Sequence, residues 1–188
     1  TASEGLCLLH EKDGEVSLIE INSETDFVAK NESFISFCKE VSMINFINKS
    51  DLSKINKALM KNNLPVETNL TDLIAKMGEK ITIRRSVFFD SSNGKNSFYT
   101  HGALENNIGK IISIVKTSKE NDIGKKIAMH VSALSPLALE ERTLSKDVMN
   151  KEIEIIKAEL LNSGKPSEMI EKIAKGKINK FISDNTLI

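Results

Sequence analysis

Between residues 15 and 44 the spacing of apolar residues changes period, and that change restricts the chain to a mixed architecture. In Glu15-Val16-Ser17-Leu18-Ile19-Glu20-Ile21-Asn22 the apolar residues recur with partial period-two alternation, as in a half-buried strand. From Asn31 onward Phe34, Phe37, Cys38, Val41 and Ile44 recur at steps of three and four, one face of an amphipathic helix. Ser23, Thr25, Asp26 and Asn31 lie between the two patterns, and each has a side chain able to accept from the free N–H groups of a helix start. The strand is predicted to pair with the apolar Leu6 to Leu9 run through a turn at Lys12-Asp13-Gly14, because Asp-Gly tolerates positive φ.

Further on, Asp51 caps a short helix carrying Leu52, Ile55 and Leu59, Pro65 interrupts, and a second helix runs from about Leu70 to Met77. Gly78 then suits a left-handed helix end. Ile81, Ile83, Val87 and Phe89 read as a strand with Arg84 and Arg85 in its middle. Ser92-Asn93-Gly94 is a strong hairpin signal and predicts an antiparallel return over Ser97 to His101. Ile108 to Val115 is a further strand, followed by a helix carrying Ile123, Ile127, Val131 and Leu134. This repeats the strand–turn–helix order of residues 15–44. The expected class is therefore α+β: two small α/β subdomains with antiparallel sheets packed by helices, over residues 1–92 and 93–140.

Pro136 ends the second of these. Met149, Ile153, Ile156 and Leu160 then follow at heptad spacing, Gly164-Lys165-Pro166 breaks the chain, and Ile170, Ile173, Ala174, Ile178 and Phe181 resume it. Residues 141–184 are predicted to form a protruding antiparallel helical hairpin of coiled-coil type. The alternative is a hairpin folded flat onto the core.

Composition excludes several classes. A formal net charge of zero gives no pull towards nucleic acid or anionic lipid. No apolar run approaches the roughly 20 residues of a membrane span. Cys7 and Cys38 make neither a disulfide framework nor a metal pair at finger spacing, which fits a reducing cytoplasm or organelle matrix. His10, His101 and His130 are not paired as ligands, and no glycine-rich phosphate loop or nucleophile elbow occurs. Neither an enzyme nor a cofactor is expected.

Recognition remains. Asp26-Phe27 places an acid beside an aromatic at a chain reversal, where an exposed Phe would suit a partner's apolar pocket. The competing reading tucks Phe27 under its own helix as a staple and leaves Asp26 merely to cap.

The stretch Ile21-Asn22-Ser23-Glu24-Thr25-Asp26-Phe27-Val28-Ala29-Lys30-Asn31 closely resembles the signature of the elongation factor Ts family, the nucleotide-exchange factors of translation. Other stretches resemble the family in order: Lys76-Met77-Gly78-Glu79-Lys80-Ile81-Thr82-Ile83-Arg84-Arg85, Ser97-Phe98-Tyr99-Thr100-His101-Gly102, Ile127-Ala128-Met129-His130-Val131 and Gly164-Lys165-Pro166. The resemblance implies that the chain binds elongation factor Tu in its GDP-bound and nucleotide-free forms and speeds GDP release. It implies a wedge of Asp26 and Phe27, flanked by Thr25 and Val28, that enters the partner's GTPase domain and disturbs the Mg²⁺ site. It also implies partner contacts at Thr25 and Val28 beside the wedge and at Met77, Gly78, His101 and Gly102, and in some members a homodimer through the hairpin. Family members normally open with a small helical domain and continue beyond the position of Ile188, so a core region is expected. Two alternatives remain: a module that holds elongation factor Tu without exchange, and a hydrolase using His101 with a carboxylate.

Overall fold

Asp13 and Gly14 adopt positive φ (54° and 79°), which lets the chain reverse tightly between β1 (Glu4–Lys12) and β2 (Glu15–Ser23). The computed structural model describes residues 3–118, 123–164 and 166–188. The chain divides into two units, the first ending at Ser132 and the second spanning Ala133–Ile188. After the hairpin the first unit continues with α1 (Asp26–Ala29), α2 (Glu32–Ile47), α3 (Leu52–Lys57) and α4 (Val66–Met77). Then come β3 (Thr82–Phe89), β4 (Lys95–Glu105), β5 (Ile108–Thr117) and α5 (Ile123–Leu134), the last two residues of which fall in the second unit.

The predicted amphipathic helix is α2. Asn31 caps it by accepting from Ser33 N–H (2.8 Å) and Phe34 N–H (3.4 Å). Its apolar stripe, Phe34, Phe37, Cys38, Val41 and Ile44, is buried against Leu6, Leu8, Ile19 and Ile21 of the hairpin. Asp51 caps α3 as expected, but Leu59 lies beyond its end and is exposed. α4 begins a turn earlier than its apolar spacing suggests. The buried Val66 anchors that turn through Glu67, Thr68 and Asn69, which are too polar to signal it.

The strands of the two expected subdomains form one five-stranded antiparallel sheet in the order β3-β2-β1-β5-β4. The link between the halves is short, with Cys7 opposite Gly109 and Leu8 opposite Ile108. Beyond it the β4–β5 hairpin curls over the back of β1–β2. There Phe98, Ile112 and Ile114 pack on Cys7, Leu9, Val16 and Leu18. The central hairpin is thus covered on both faces, by α2 on one and by β4–β5 on the other.

The Asn93-Gly94 turn has the expected positive φ (57° and 149°) but makes no hairpin, because β3 and β4 occupy opposite edges of the sheet. The crossover is held by Asn96, whose Nδ2 donates to the carbonyls of Gly14 (2.8 Å) and Asp90 (2.8 Å). Lys116 pairs with Asp90 at 2.6 Å. The apolar burial of Phe98, Ile112 and Ile114 is non-local and outweighs the local turn preference. The hairpin partner of β4 is instead β5, through Asn106 and Asn107, the latter at φ 60°.

In the second unit α6 (Lys146–Leu161) and α7 (Ser167–Asn185) pack on each other through Ile156, Leu160 and Ala174, with Ile170, Ile173 and Ile178 at the margin. Met149 and Ile153 of the expected seam are only partly buried. Lys165, in the predicted break, lies outside the described residues. Among the described residues no helix is long and apolar enough to cross a membrane.

Gly124 of α5 lies against β4: a Cβ there would stand 2.3 Å from Ser97 Oγ and 2.8 Å from Ser97 Cβ. In an isolated helix Gly124→Ala would gain about 1 kcal/mol. Here a net loss of about 1–3 kcal/mol is expected from the overlap. Thermal unfolding checks this, and adding Ser97→Gly should recover part of the loss non-additively.

Candidate functional site

β2 ends at the buried Ser23, whose hydroxyl donates to the Thr25 carbonyl at 3.0 Å and bends the chain out of the sheet. Thr25, extended at φ −121° and ψ 157°, is the N-cap of the one-turn helix α1, accepting from Val28 N–H at 3.5 Å. Val28 and Ala29 are buried in the core beneath it. Phe27 is 82% exposed. The staple reading is therefore overturned. The next two residues supply the anchoring, and a four-residue helix has too little circumference to bury three consecutive side chains.

A helix of one turn is not self-supporting, because fixing its backbone costs more than its few hydrogen bonds return. Contacts from a distant stretch hold it. Glu79 accepts from both the Thr25 hydroxyl (2.6 Å, at Oε1) and the Thr25 N–H (3.1 Å, at Oε2). Next to it, Glu24 accepts from Lys80 N–H at 3.4 Å. Lys76 Nζ reaches Ser33 Oγ at 2.9 Å. The chain enters this stretch through Gly78, left-handed at φ 70° and ψ 17°, which ends α4 as expected. The Thr25 end of the turn is thus tied to Glu79, the residue after Gly78, 54 positions away, and Val28 and Met77 belong to the same core cluster. Met77 is partly buried in the core and Gly78 is exposed.

Asp26 is a partner of Lys30 one turn on, at 2.7 Å. The hydrogen bond and charge of Lys30 hold the Asp26 carboxyl below its ordinary range, and the more distant Lys110 acts in the same direction. Lys110 pairs with Glu4 at 3.4 Å and lays its stem beside Gly102. The Asp26–Lys30 pair lies on the α1 turn itself, and Lys110, whose stem is beside Gly102, also acts on the Asp26 carboxyl.

The second predicted stretch is on β4. His101 is exposed opposite Ile111, with its ring tilted against Tyr99 at 6.2 Å between centroids. Gly102 takes φ 61° just before a bulge at Ala103–Glu105. Strands β1 and β5 lie between β4, which carries His101, and β2, which leads into the α1 turn. Among the described residues no three His, Cys, Asp or Glu side chains converge as a metal site.

The paired arginines serve the fold. A bulge opposite Glu20 and Ile21 makes Arg84 the additional residue of β3. Two consecutive side chains can then reach one acid: Arg84 Nη1 donates to Glu20 at 2.8 Å and Arg85 Nε at 2.5 Å. Partial burial would raise the Glu20 carboxyl, but these bonds and one from Asn22 bring it below the ordinary range.

Glu79 is the residue that sequence reasoning did not single out. Its partner is 54 positions away, and an acid after a helix-ending glycine has no distinctive local pattern.

Comparison with known proteins places the chain. The family model described as "Elongation factor TS" matches residues 24–188. Proteins named elongation factor Ts are similar along the whole chain: that of Dinoroseobacter shibae is 38% identical over 190 residues. That of Clostridium novyi is 37% identical over 196 residues, and that of Methylococcus capsulatus 35% over 191. The chain spans 64%, 63% and 64% of the lengths of these three relatives, in that order.

Two measurements check the site's geometry. Because the folded-state carboxyl of Asp26 is depressed, the contribution of its pair with Lys30 is present above the ordinary carboxylate range and is lost as pH falls through the folded value. Lys30→Met should move the Asp26 titration, followed by NMR, back upward. Gly78 has open space around its Cα but a left-handed backbone, so Gly78→Ala should cost about 1 kcal/mol and Gly78→Asn less. Denaturant unfolding reads both.

Proposed function

The chain belongs to the elongation factor Ts family, and from that we propose that it is a guanine-nucleotide exchange factor of translation elongation, acting on elongation factor Tu. The observation that carries this reading is Phe27: a large aromatic side chain, 82% exposed, on a turn held from both sides. A side chain that contributes so little to its own core is free to enter another.

In the proposed mechanism Asp26 and Phe27 form the wedge, and Phe27 enters an apolar pocket between helices of the partner's GTPase domain. Its entry displaces the elements holding Mg²⁺, the phosphates of GDP lose charge neutralisation, and the nucleotide leaves. Exchange of this kind needs no covalent step by the factor. It is a coupling between two binding equilibria, and the nucleotide weakens the factor's binding by the same ratio. The energy scales match. Fully burying a Phe side chain supplies about 1.5–3 kcal/mol, and couplings between sites are typically about 1–3 kcal/mol. Thr25 and Val28 hold the wedge and are also proposed to contact the partner. Met77, Gly78, His101 and Gly102 are the further proposed contacts. The division into subdomains 1–92 and 93–140 and a hairpin arm over 141–184 belongs to the same reading. In it α6–α7 act as a coiled-coil contact for the partner or a second copy, in the bacterial cytoplasm or an organelle matrix.

The test is release of a fluorescent GDP from the cognate elongation factor Tu. The chain should accelerate it, and Phe27→Ala should remove about ten- to a hundredfold of the acceleration. The thermal midpoint of the free chain should be unchanged. Binding by the chain without faster release would instead make it a docking module and refute the wedge.

A further inference from the structure

We propose that Glu79 is a positioning residue for exchange: its carboxylate latches the Asp26–Phe27 turn to the Met77–Gly78 loop, so that the two present one preformed surface. The proposal rests on the exchange reading above and goes beyond it in assigning a role to a residue outside the wedge.

Three observations carry it. Glu79 engages Thr25 with both oxygens, taking the hydroxyl at 2.6 Å and the backbone N–H at 3.1 Å. With its proton committed to Glu79, the Thr25 hydroxyl presents its lone pairs towards Val28 N–H, which donates to it at 3.5 Å. The latch therefore also orients the cap of α1. Second, α1 is a single turn, and Phe27 at its exposed side adds no burial to keep it folded. Its order comes from the burial of Val28 and Ala29 and from polar contacts at its ends, of which the latch is the one that engages the Thr25 cap with two bonds. Third, Glu79 directly follows Gly78, whose left-handed conformation ends α4 and redirects the chain towards the turn. Moving the loop would move the turn with it.

A latch of this kind acts on the population of the competent conformer and leaves the wedge chemistry alone. Without it the turn samples other conformers when free, and the partner selects the ordered one. The apparent affinity falls by the competent fraction, while the rate in the complex is retained. Loss of the wedge itself acts on the rate in the complex.

The experiment measures GDP release from the cognate elongation factor Tu as a function of factor concentration. It compares the chain with Glu79→Ala, Glu79→Gln, Thr25→Val, the Thr25→Val/Glu79→Ala pair, and Phe27→Ala. For Glu79→Ala the half-saturating concentration should rise about tenfold, as when the competent conformer falls to a tenth of the population, with the saturating rate retained. Glu79→Gln keeps one acceptor oxygen and should lie between. The double variant should lose less than the sum of the two single effects, since both remove the hydroxyl–carboxylate bond, while Thr25→Val alone keeps the N–H bond to Glu79 and should be milder than Glu79→Ala. Amide hydrogen exchange on the free chain gives an independent readout. In Glu79→Ala the Val28 N–H should exchange faster while Phe37 and Val41 in α2 keep their protection.

An unchanged half-saturating concentration, or a saturating rate lowered as in Phe27→Ala, overturns the latch. Equal loss of protection in α2 also overturns it, by reducing Glu79 to a general stabilising residue. If wild type and Phe27→Ala release GDP alike, the exchange reading fails. The hydrogen-exchange arm still decides whether Glu79 orders the turn.

Discussion

Burial of the β1–β2 hairpin on both faces is the constraint from which the rest of the first unit follows. On one face Leu6, Leu8, Ile19 and Ile21 take the apolar stripe of α2. On the other Cys7, Leu9, Val16 and Leu18 take Phe98, Ile112 and Ile114 from the curled β4–β5 hairpin. Strands covered on one side alternate apolar with polar, whereas doubly covered strands read as nearly continuous apolar runs. Leu6 to Leu9 is of the second kind, whereas Val16 to Ile21, interrupted by Ser17 and Glu20, reads as half-buried and is nevertheless covered on both faces. A hairpin so fixed makes a rigid base for whatever leaves its end.

What leaves its end is the α1 turn. The turn is rigid for reasons that do not involve its exposed side chain. Ser23 bends the strand, Thr25 caps, Val28 and Ala29 enter the core, and Glu79 ties the cap to the end of α4. Phe27 is thereby relieved of any structural duty. Preorganisation of this sort shifts cost from binding to folding, where the core already supplies the free energy. The surrounding ion pairs, Asp26–Lys30 and Glu4–Lys110, are exposed and contribute little to stability. They set the local field more than they hold the chain.

Much of the fold was legible locally. The β1–β2 turn at Asp13-Gly14, the Asn31 and Asp51 caps and the Gly78 terminus stand where their residue types required. Errors arose where a local signal competed with distant burial. Asn93-Gly94 makes a turn of the expected conformation, yet β4 pairs with β5 at the far edge. The start of α4 was hidden because only Val66 of its first turn is apolar. Two sheets were expected where one exists, because the β1–β5 link consists of only two opposed pairs.

The candidate site divides in the same way. The sequence by itself determined the turn, the acid–aromatic pair and the family, because these reside in contiguous residues whose backbone preferences and order are local, while of the four caps it offered the structure chose Thr25 for this turn. Only the tertiary structure decided that Phe27 faces solvent while Val28 and Ala29 do not. It alone brought Glu79 onto Thr25, and it let Arg84 and Arg85 share Glu20 through a bulge. These are contacts between residues some 54 to 65 positions apart. Their formation depends on how the core closes around the hairpin, a free energy spread over the whole unit that no local stretch encodes.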